Sequence, residues 1–136
     1  MHIDFAVLAD YALIDQHGKL SVLGMFQNVW VPRFPAVHLR THLVLRVRGL
    51  RTEIGSHKIT IRFVDEHGAE HLGGEGTVEF GEPPAGVTQL EAGAVLVFDV
   101  PLPHPGNYWF DIAIDGAPEV RVALVAGQSP SIAQSH

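Results

Sequence analysis

The chain contains no cysteine among its 136 residues. Disulfide bonds, thiolate zinc sites and cysteine nucleophiles are therefore excluded, and packing alone must stabilise the core. No uncharged apolar run approaches the roughly 20 residues that a membrane-spanning helix needs. The N-terminal segment has no basic leader and carries Asp4 and Asp10 among its apolar positions, unlike a signal peptide. We therefore expect a cytoplasmic protein with no membrane partner.

Positive charge is absent from a long central stretch. Residues 65–119 carry eleven acids and no lysine or arginine, whereas residues 33–62 carry seven basic residues against one acid. We favour the explanation that basic and acidic strands pair, within the fold or across a subunit interface, over an anion-attracting face. With a net charge of -6 and no strong basic cluster, we expect no nucleic-acid partner.

Helical periodicity is also absent over any useful length. Nearly every segment instead alternates apolar and polar residues, which is typical of half-buried strands. Eight strands are predicted, at about residues 3–13, 19–30, 38–48, 58–63, 70–80, 90–100, 108–114 and 120–124. The last residues carry no pattern, so we predict a single domain over residues 1–125 and a flexible tail over 126–136.

Two proline-rich segments interrupt the strands, one containing Pro32 and Pro35 and the other running over residues 101–106. Proline cannot donate to a central ladder, so each segment predicts a crossing between sheets. We predict an all-β, eight-stranded antiparallel β-sandwich of immunoglobulin-like topology, with strands one, two, five and six in one sheet and the rest in the other. A jelly roll or a closed β-barrel is the alternative.

Three local features refine this fold. Residues 94–98 are apolar at every position, which predicts that the sixth strand is central or covered by a partner subunit. Gly73, Gly74 and Gly76 predict that the fifth strand lies at an edge. Tyr108, which opens the seventh strand, matches the tyrosine corner of immunoglobulin-like folds, whose phenol bonds back to nearby backbone.

Two groups of motifs resemble a family of small, uncharacterised bacterial β-proteins. The motifs are DYA at 10–12, GKL at 18–20, GMF at 24–26, FPAVH at 34–38, PGNYWFDI at 105–112 and DG at 115–116. Ala9 stands where many relatives are expected to carry cysteine. The resemblance implies a bacterial, cytoplasmic, stand-alone domain, and it transfers no activity or catalytic residue.

Nine histidines raise the question of a metal site. His38 and His42 share a strand face, but four residues of strand separate their Cα atoms by about 13 Å, too far for one zinc ion with bonds of about 2 Å. His57, His71 and His104 can converge only through the tertiary fold. We therefore predict no metal site and no cofactor.

Recognised catalytic patterns are missing as well. Asp65, Glu66 and Glu70 lack the spacing of a calcium loop, and we expect them to be solvated turn acids. The glycines at 73–76 precede no helix that could hold a phosphate. We predict no catalytic residue and favour a protein that is not an enzyme. An enzyme with a histidine or carboxylate site is the third hypothesis.

The strongest candidate for a binding face is the outward side of the third strand. Its predicted members, with an aromatic residue on the polar side of the seventh strand, are Arg40, His42, Arg46, Arg48 and Trp109. Arginine and aromatic side chains are enriched at binding hot spots. A single exposed aromatic covered by arginine stems accounts for Trp109 equally well.

The sequence does not name a function. We predict a non-enzymatic interaction or assembly module that associates with itself or with another protein. The alternative is a small anionic ligand bound by strand 38–48 and Trp109.

Overall fold

Nine β-strands account for most of residues 1–130, the part of the chain that the computed structural model describes. The strands are β1 (His2–Ile14), β2 (Leu20–Phe26), β3 (Asn28–Val31), β4 (Ala36–Leu50), β5 (Gly55–Asp65), β6 (Glu70–Phe80), β7 (Gln89–Leu102), β8 (Gly106–Ile114) and β9 (Ala117–Gln128). A short 3₁₀ turn, Arg51–Glu53, joins β4 to β5. Within the described residues, no helix has the length and apolar character to cross a membrane.

The strands form two sheets. One sheet has the order β2-β1-β4-β7, and the other has the order β3-β9-β8-β5-β6. Alternate residues of both sheets point into one shared core, whose largest fully buried side chains include Leu8, Leu43, Leu45, Phe63, Phe80, Tyr108 and Phe110. The predicted all-β sandwich is confirmed.

The strand count and the distribution of strands between sheets differ from the prediction. Residues 19–30 form two strands rather than one, because the chain bends at Gln27 and β3 crosses to the other sheet, where it pairs in parallel with β9. The predicted third strand (β4) joins β1, and the predicted fifth (β6) joins β5. Alternation predicts which residues are buried, but it does not predict which strands become neighbours.

Both proline-rich segments lie at crossings between the sheets. The segment with Pro32 and Pro35 leads from β3 to β4, and residues 103–105 lead from β7 to β8. Pro101 lies within β7, which is an edge strand and can therefore tolerate a missing N–H.

The outer part of the β1–β2 hairpin folds back over the outer face of its own sheet. Ala9 and Ala12 are buried there against Val44 of β4, and Val95 of β7 packs on the same cluster. β1 and β7 are not neighbours in the ladder, since β4 lies between them. We call residues 10–26 the β1–β2 arm.

The arm reaches as far as β7. A Cβ atom on Gly93 would lie 2.9 Å from Leu20 Cδ2, so the two residues are in close contact. The arm accounts for part of the apolar pattern on the outer side of the predicted sixth strand, where Val97 stays exposed. That strand (β7) is an edge strand and not central, and the chain's own arm covers Val95 on its outer face.

Glycines let β6 approach β7 at one side of the sandwich. β6 lies at the edge of its sheet, as predicted. A Cβ atom on Gly74 would lie 2.7 Å from Phe98 Cε1, and one on Gly76 would lie 2.8 Å from Leu96 Cδ2. Larger residues would force the two sheets apart here.

The last strand extends beyond the predicted end of the domain. Ala126 pairs with Val29 and Gln128 pairs with Val31, so residues 126–128 of the predicted tail belong to β9. Residues 131–136 of that tail lie outside the described residues.

Candidate functional site

The binding face predicted from the sequence is not one surface. Its four polar members lie on β4 of the four-stranded sheet: Arg40, His42, Arg46 and Arg48. Trp109 lies on β8 of the other sheet, between Tyr108 and Phe110, which point into the core. Since side chains alternate along a strand, Trp109 faces outward on the opposite side of the sandwich. The fold therefore separates Trp109 from the basic strand.

Trp109 has a different arginine as its partner. The Arg121 guanidinium, on neighbouring β9, lies 4.9 Å from the centroid of the Trp109 ring. Two hydrogen bonds of 2.7 and 3.0 Å hold that guanidinium on the Asp111 carboxylate. This arrangement is a cation–π contact on a sheet surface.

Acidic neighbours neutralise Arg46 and Arg48. Arg48 Nε lies 2.9 Å from Asp4 Oδ2, and Arg46 pairs with Glu91 and lies 3.8 Å from Asp4. The hydrogen bond from Arg48 lowers the pKa of Asp4. The Arg46–Glu91 pair joins the basic and acidic segments within the fold, as we expected from the segregation of charge, whereas Asp4 lies outside the acidic segment.

Arg40 and His42 differ in accessibility. A β-bulge gives Arg40 a φ of 53°, and its backbone N–H donates to Asp99 Oδ1 at 3.0 Å while its side chain stays exposed. His42 was predicted to face outward, but it is only 4% exposed. The arm covers it, with the Tyr11 ring 5.4 Å away, and its Nδ1 bonds to the Arg40 carbonyl. His42 is therefore inaccessible to a ligand.

The outward face of the arm is apolar and exposed. Its large side chains are Leu13 (39% exposed), Leu23 (65%) and Met25 (67%), together with Tyr11 (47%), whose ring also packs on His42 at the bend. Tyr11 lies directly opposite Leu23 in the ladder, and Met25 lies one pair further along the same face. This face could not be recognised from the sequence, because apolar residues occur on both the inward and outward sides of the arm.

A second cluster lies at one end of the sandwich. Asp65 is the last residue of β5, His71 lies at the start of β6, and His104 lies in the loop between β7 and β8. Asp65 Oδ2 is 2.8 Å from His71 Nε2 and 3.5 Å from His104 Nε2. The Asp65 side chain is 4% exposed, whereas both histidines reach solvent.

The turn after β5 holds the Asp65 carboxylate in place. Its Oδ1 accepts the backbone N–H groups of His67 and Ala69 at 2.8 and 3.0 Å. Oδ2 is left to the two histidines. The hydrogen bond with His71, helped by these two backbone donors, holds the pKa of Asp65 well below its usual range. Asp65 is therefore a carboxylate at neutral pH.

Tyr108 fixes the loop that carries His104. The phenol donates to the His104 carbonyl oxygen, and the His104 backbone N–H lies 3.3 Å from the phenol oxygen. The two rings stack with their centroids 5.5 Å apart. The phenol thus bonds back to nearby backbone, as we predicted for a tyrosine corner.

The sequence profile of a family described as a family of unknown function (DUF6941) matches residues 4–126. The chain belongs to the DUF6941 family. The resemblance to an uncharacterised family is thereby confirmed. The match spans the arm and the Asp65 cluster, and no curated protein matches the sequence.

For this DUF6941 chain, sequence reasoning missed the Asp65 cluster. Asp65 was expected to be a solvated turn acid, but it is buried. His71 and His104 were recognised as residues that only the fold can bring together. The three residues come from separate segments, so no spacing could reveal them. The available signal was the turn chemistry, which places Asp65 at the end of a strand.

Proposed function

We propose that this domain is a non-enzymatic assembly module that forms a homodimer through the outward face of the β1–β2 arm. The observation that carries the proposal is the row of exposed apolar side chains on the arm: Tyr11, Leu13, Leu23 and Met25. Scattered apolar residues are ordinary on a protein surface, but a contiguous group marks an interaction site.

Charge favours a second copy of the chain as the partner. In a two-fold dimer the same patch meets itself, so the patch must be self-complementary. The apolar row itself carries no charge, and the charged residues of the arm are Asp10 at its bend and Asp15 and Lys19, which face each other at its tip. Two copies can therefore meet without like charges at the centre, while a charged partner would find few groups to pair with.

The exposed apolar surface on which we base self-association lies on the arm rather than on β7. From the sequence we expected β7 to be central or covered by a partner subunit; the arm covers Val95 on its outer side and leaves Val97 48% exposed. The arm in turn presents its own apolar side to solvent. β2 also lies at the edge of its sheet, where unpaired backbone groups favour association.

Sedimentation velocity across the micromolar range tests the dimer. We expect the wild-type chain to sediment as a dimer and Leu23→Lys as a monomer. Leu50→Lys is the matched control, because Leu50 is exposed to a similar degree, 56% against 65%, but lies at the end of β4 away from the arm. Circular dichroism verifies that each variant is folded.

A wild-type monomer throughout the concentration range would overturn the homodimer. A dimer that Leu50→Lys disrupts and Leu23→Lys leaves intact would place the interface on another surface and overturn the role of the arm.

Binding of a small anion by the basic strand and Trp109 has weaker support. Arg46 and Arg48 contact acids, His42 is covered, and Trp109 lies on the opposite side of the sandwich. The exposed Arg40 side chain is the remaining candidate. Titration with inorganic phosphate, followed by the amide NMR signals of Arg40 and its neighbours, tests this alternative.

We also infer an immunoglobulin-like topology. In its support, β1-β4-β7 follows the order of strands A, B and E, and β9-β8-β5-β6 follows G, F, C and C′. The tyrosine corner lies at the start of β8, the counterpart of strand F. A bacterial origin and a cytoplasmic location belong to the same proposal, and cell fractionation tests the location.

A further inference from the structure

We propose that Asp65, His71 and His104 form a zinc-binding site. One ligand atom from each residue lies within 4.8 Å of the other two. Ligand atoms around tetrahedral zinc, with bonds of about 2.0–2.1 Å, lie about 3.3 Å apart. The separations of 2.8 and 3.5 Å from Asp65 Oδ2 bracket that distance. Small side-chain movements would therefore admit the ion.

The donor atoms match the preference of zinc. Two imidazole nitrogens and one carboxylate oxygen suit Zn²⁺, whereas Ca²⁺ and Mg²⁺ prefer oxygen ligands throughout. Three protein ligands leave a fourth position for water. The side chains of His71 and His104 are 23% and 40% exposed, so both water and the ion can reach the cluster.

The carboxylate is oriented before any ion binds. Hydrogen bonds from the turn backbone occupy Asp65 Oδ1 and aim Oδ2 at the two histidines. Together with the hydrogen bond from His71, these bonds already stabilise the buried charge, so the carboxylate is a fixed, ionised ligand for a cation between the three side chains.

The hydrogen bonds of the His104 ring give the strongest support for His104 as a zinc ligand. Its Nδ1 lies 3.2 Å from the Pro105 carbonyl oxygen and 3.3 Å from the Tyr108 phenol, whose own proton goes to the His104 carbonyl. These two oxygens favour the tautomer in which Nδ1 is the donor. In the neutral ring, Nε2 then carries a lone pair, and this lone pair faces Asp65 Oδ2 at 3.5 Å.

A metal ion between the two atoms would bind both lone pairs, whereas a proton on Nε2 would turn the contact into a hydrogen bond. Histidine ligands of zinc characteristically donate their other N–H to a carbonyl or carboxylate, as His104 Nδ1 does to Pro105. Protonation alone would make the cluster a local ion pair without metal affinity. Zinc titration distinguishes the two.

The experiment uses the untagged full chain, stripped with a chelator and titrated with zinc sulfate by calorimetry. We expect one zinc per chain and a rise in the melting temperature on zinc addition, because a ligand that binds only the folded state stabilises it. His71→Ala and His104→Gln should each weaken binding by at least about tenfold. Cobalt substituted for zinc should give the intense visible absorption of a tetrahedral site.

His67→Ala is the matched control. His67 lies in the same turn and is exposed, and only its backbone N–H contacts Asp65. This variant should bind zinc like the wild type. An absence of zinc binding, or binding that His71→Ala and His104→Gln leave unchanged, would overturn the site. Because His104 is partly exposed, His104→Gln is expected to fold even if His71→Ala does not.

Discussion

A Cβ atom on Gly24 would lie 2.5 Å from Asp10 Oδ2, directly across the ladder between β1 and β2. The two residues face each other where the arm bends over the sheet. Gly24 has a φ of 70°, in the left-handed region that favours glycine. Backbone conformation and close packing therefore both require glycine at this position.

Replacing Gly24 with alanine should destabilise the fold at the bend. We expect Gly24→Ala to lower the free energy of unfolding by about 2–4 kcal/mol, from backbone strain together with the contact with Asp10. Gly18→Ala is the control, since Gly18 has a φ of 79° but a Cβ there would meet nothing within 4 Å. It should lose only about 1–2 kcal/mol. Urea denaturation measures both, and equal losses would contradict a role for the Asp10 contact.

The hydroxyl group of Tyr108 should contribute to stability, whereas that of Tyr11 should not. Tyr108 is fully buried, and its phenol bonds to the His104 carbonyl. Tyr108→Phe leaves that carbonyl without its partner and should lower the free energy of unfolding by about 1–3 kcal/mol. Tyr11→Phe, at an exposed tyrosine, should change it by less than about 0.5 kcal/mol. Thermal denaturation compares them, and a loss confined to Tyr11→Phe would refute the assignment.

The close approach of β6 to β7 should be sensitive to a single methyl group. Gly74→Ala places a Cβ 2.7 Å from the Phe98 ring and should lower the free energy of unfolding by about 1–3 kcal/mol. Gly81→Ala adds a methyl group where nothing lies within 4 Å, so it should stay within about 0.5 kcal/mol of the wild type. Chemical denaturation that ranks the two variants the other way would argue against this packing.

The stability contributed by His57 should depend on pH. Its Nδ1 lies 2.6 Å from Asp115 Oδ2, and its Nε2 lies 2.6 Å from the Glu53 carbonyl oxygen. Both ring nitrogens thus face acceptors, which favours the imidazolium. The hydrogen bond to Asp115, then that to the Glu53 carbonyl, raises the pKa of His57 above 6.5.

Because the folded pKa is the higher one, this stabilisation is complete below the unfolded pKa and is lost as pH rises through the folded value. The pKa of Asp115 is lowered, so its own contribution is lost only in acid. His57→Gln should therefore destabilise the protein more at about pH 6 than at about pH 9. His17→Gln, in an exposed turn, should show no such difference. Unfolding measured at both pH values tests this, and a pH-independent effect of His57→Gln would contradict it.

Local chemistry made much of the fold predictable. Strand alternation predicted where the strands lie, and apolar positions of those strands such as Leu43 and Phe63 are buried. Pro32 and Pro35 were correctly placed at a crossing. Each of these features is determined by residues that are close together in the sequence, so a local pattern can predict it.

The contacts between distant segments could not be predicted from local patterns. Strand alternation predicted that the His42 side chain faces outward, but the arm covers it. Alternation does not predict which segments pack on the outer face of a sheet. Trp109 and Arg40 shared a chemistry suited to one site, yet their strands belong to different sheets. Asp65 and His104 meet only because β5 and the loop before β8 end at the same side of the sandwich.

The parallel pairing of β3 with β9 has a consequence for biosynthesis. Val29 emerges from the ribosome early, but its partner Ala126 is among the last residues of the sandwich to be made. At about 5–20 residues per second, roughly 5–20 s separate the two. During that interval β3 has no partner in the five-stranded sheet, so that sheet cannot be completed until β9 has been made. Pairings between segments this distant in sequence also slow folding.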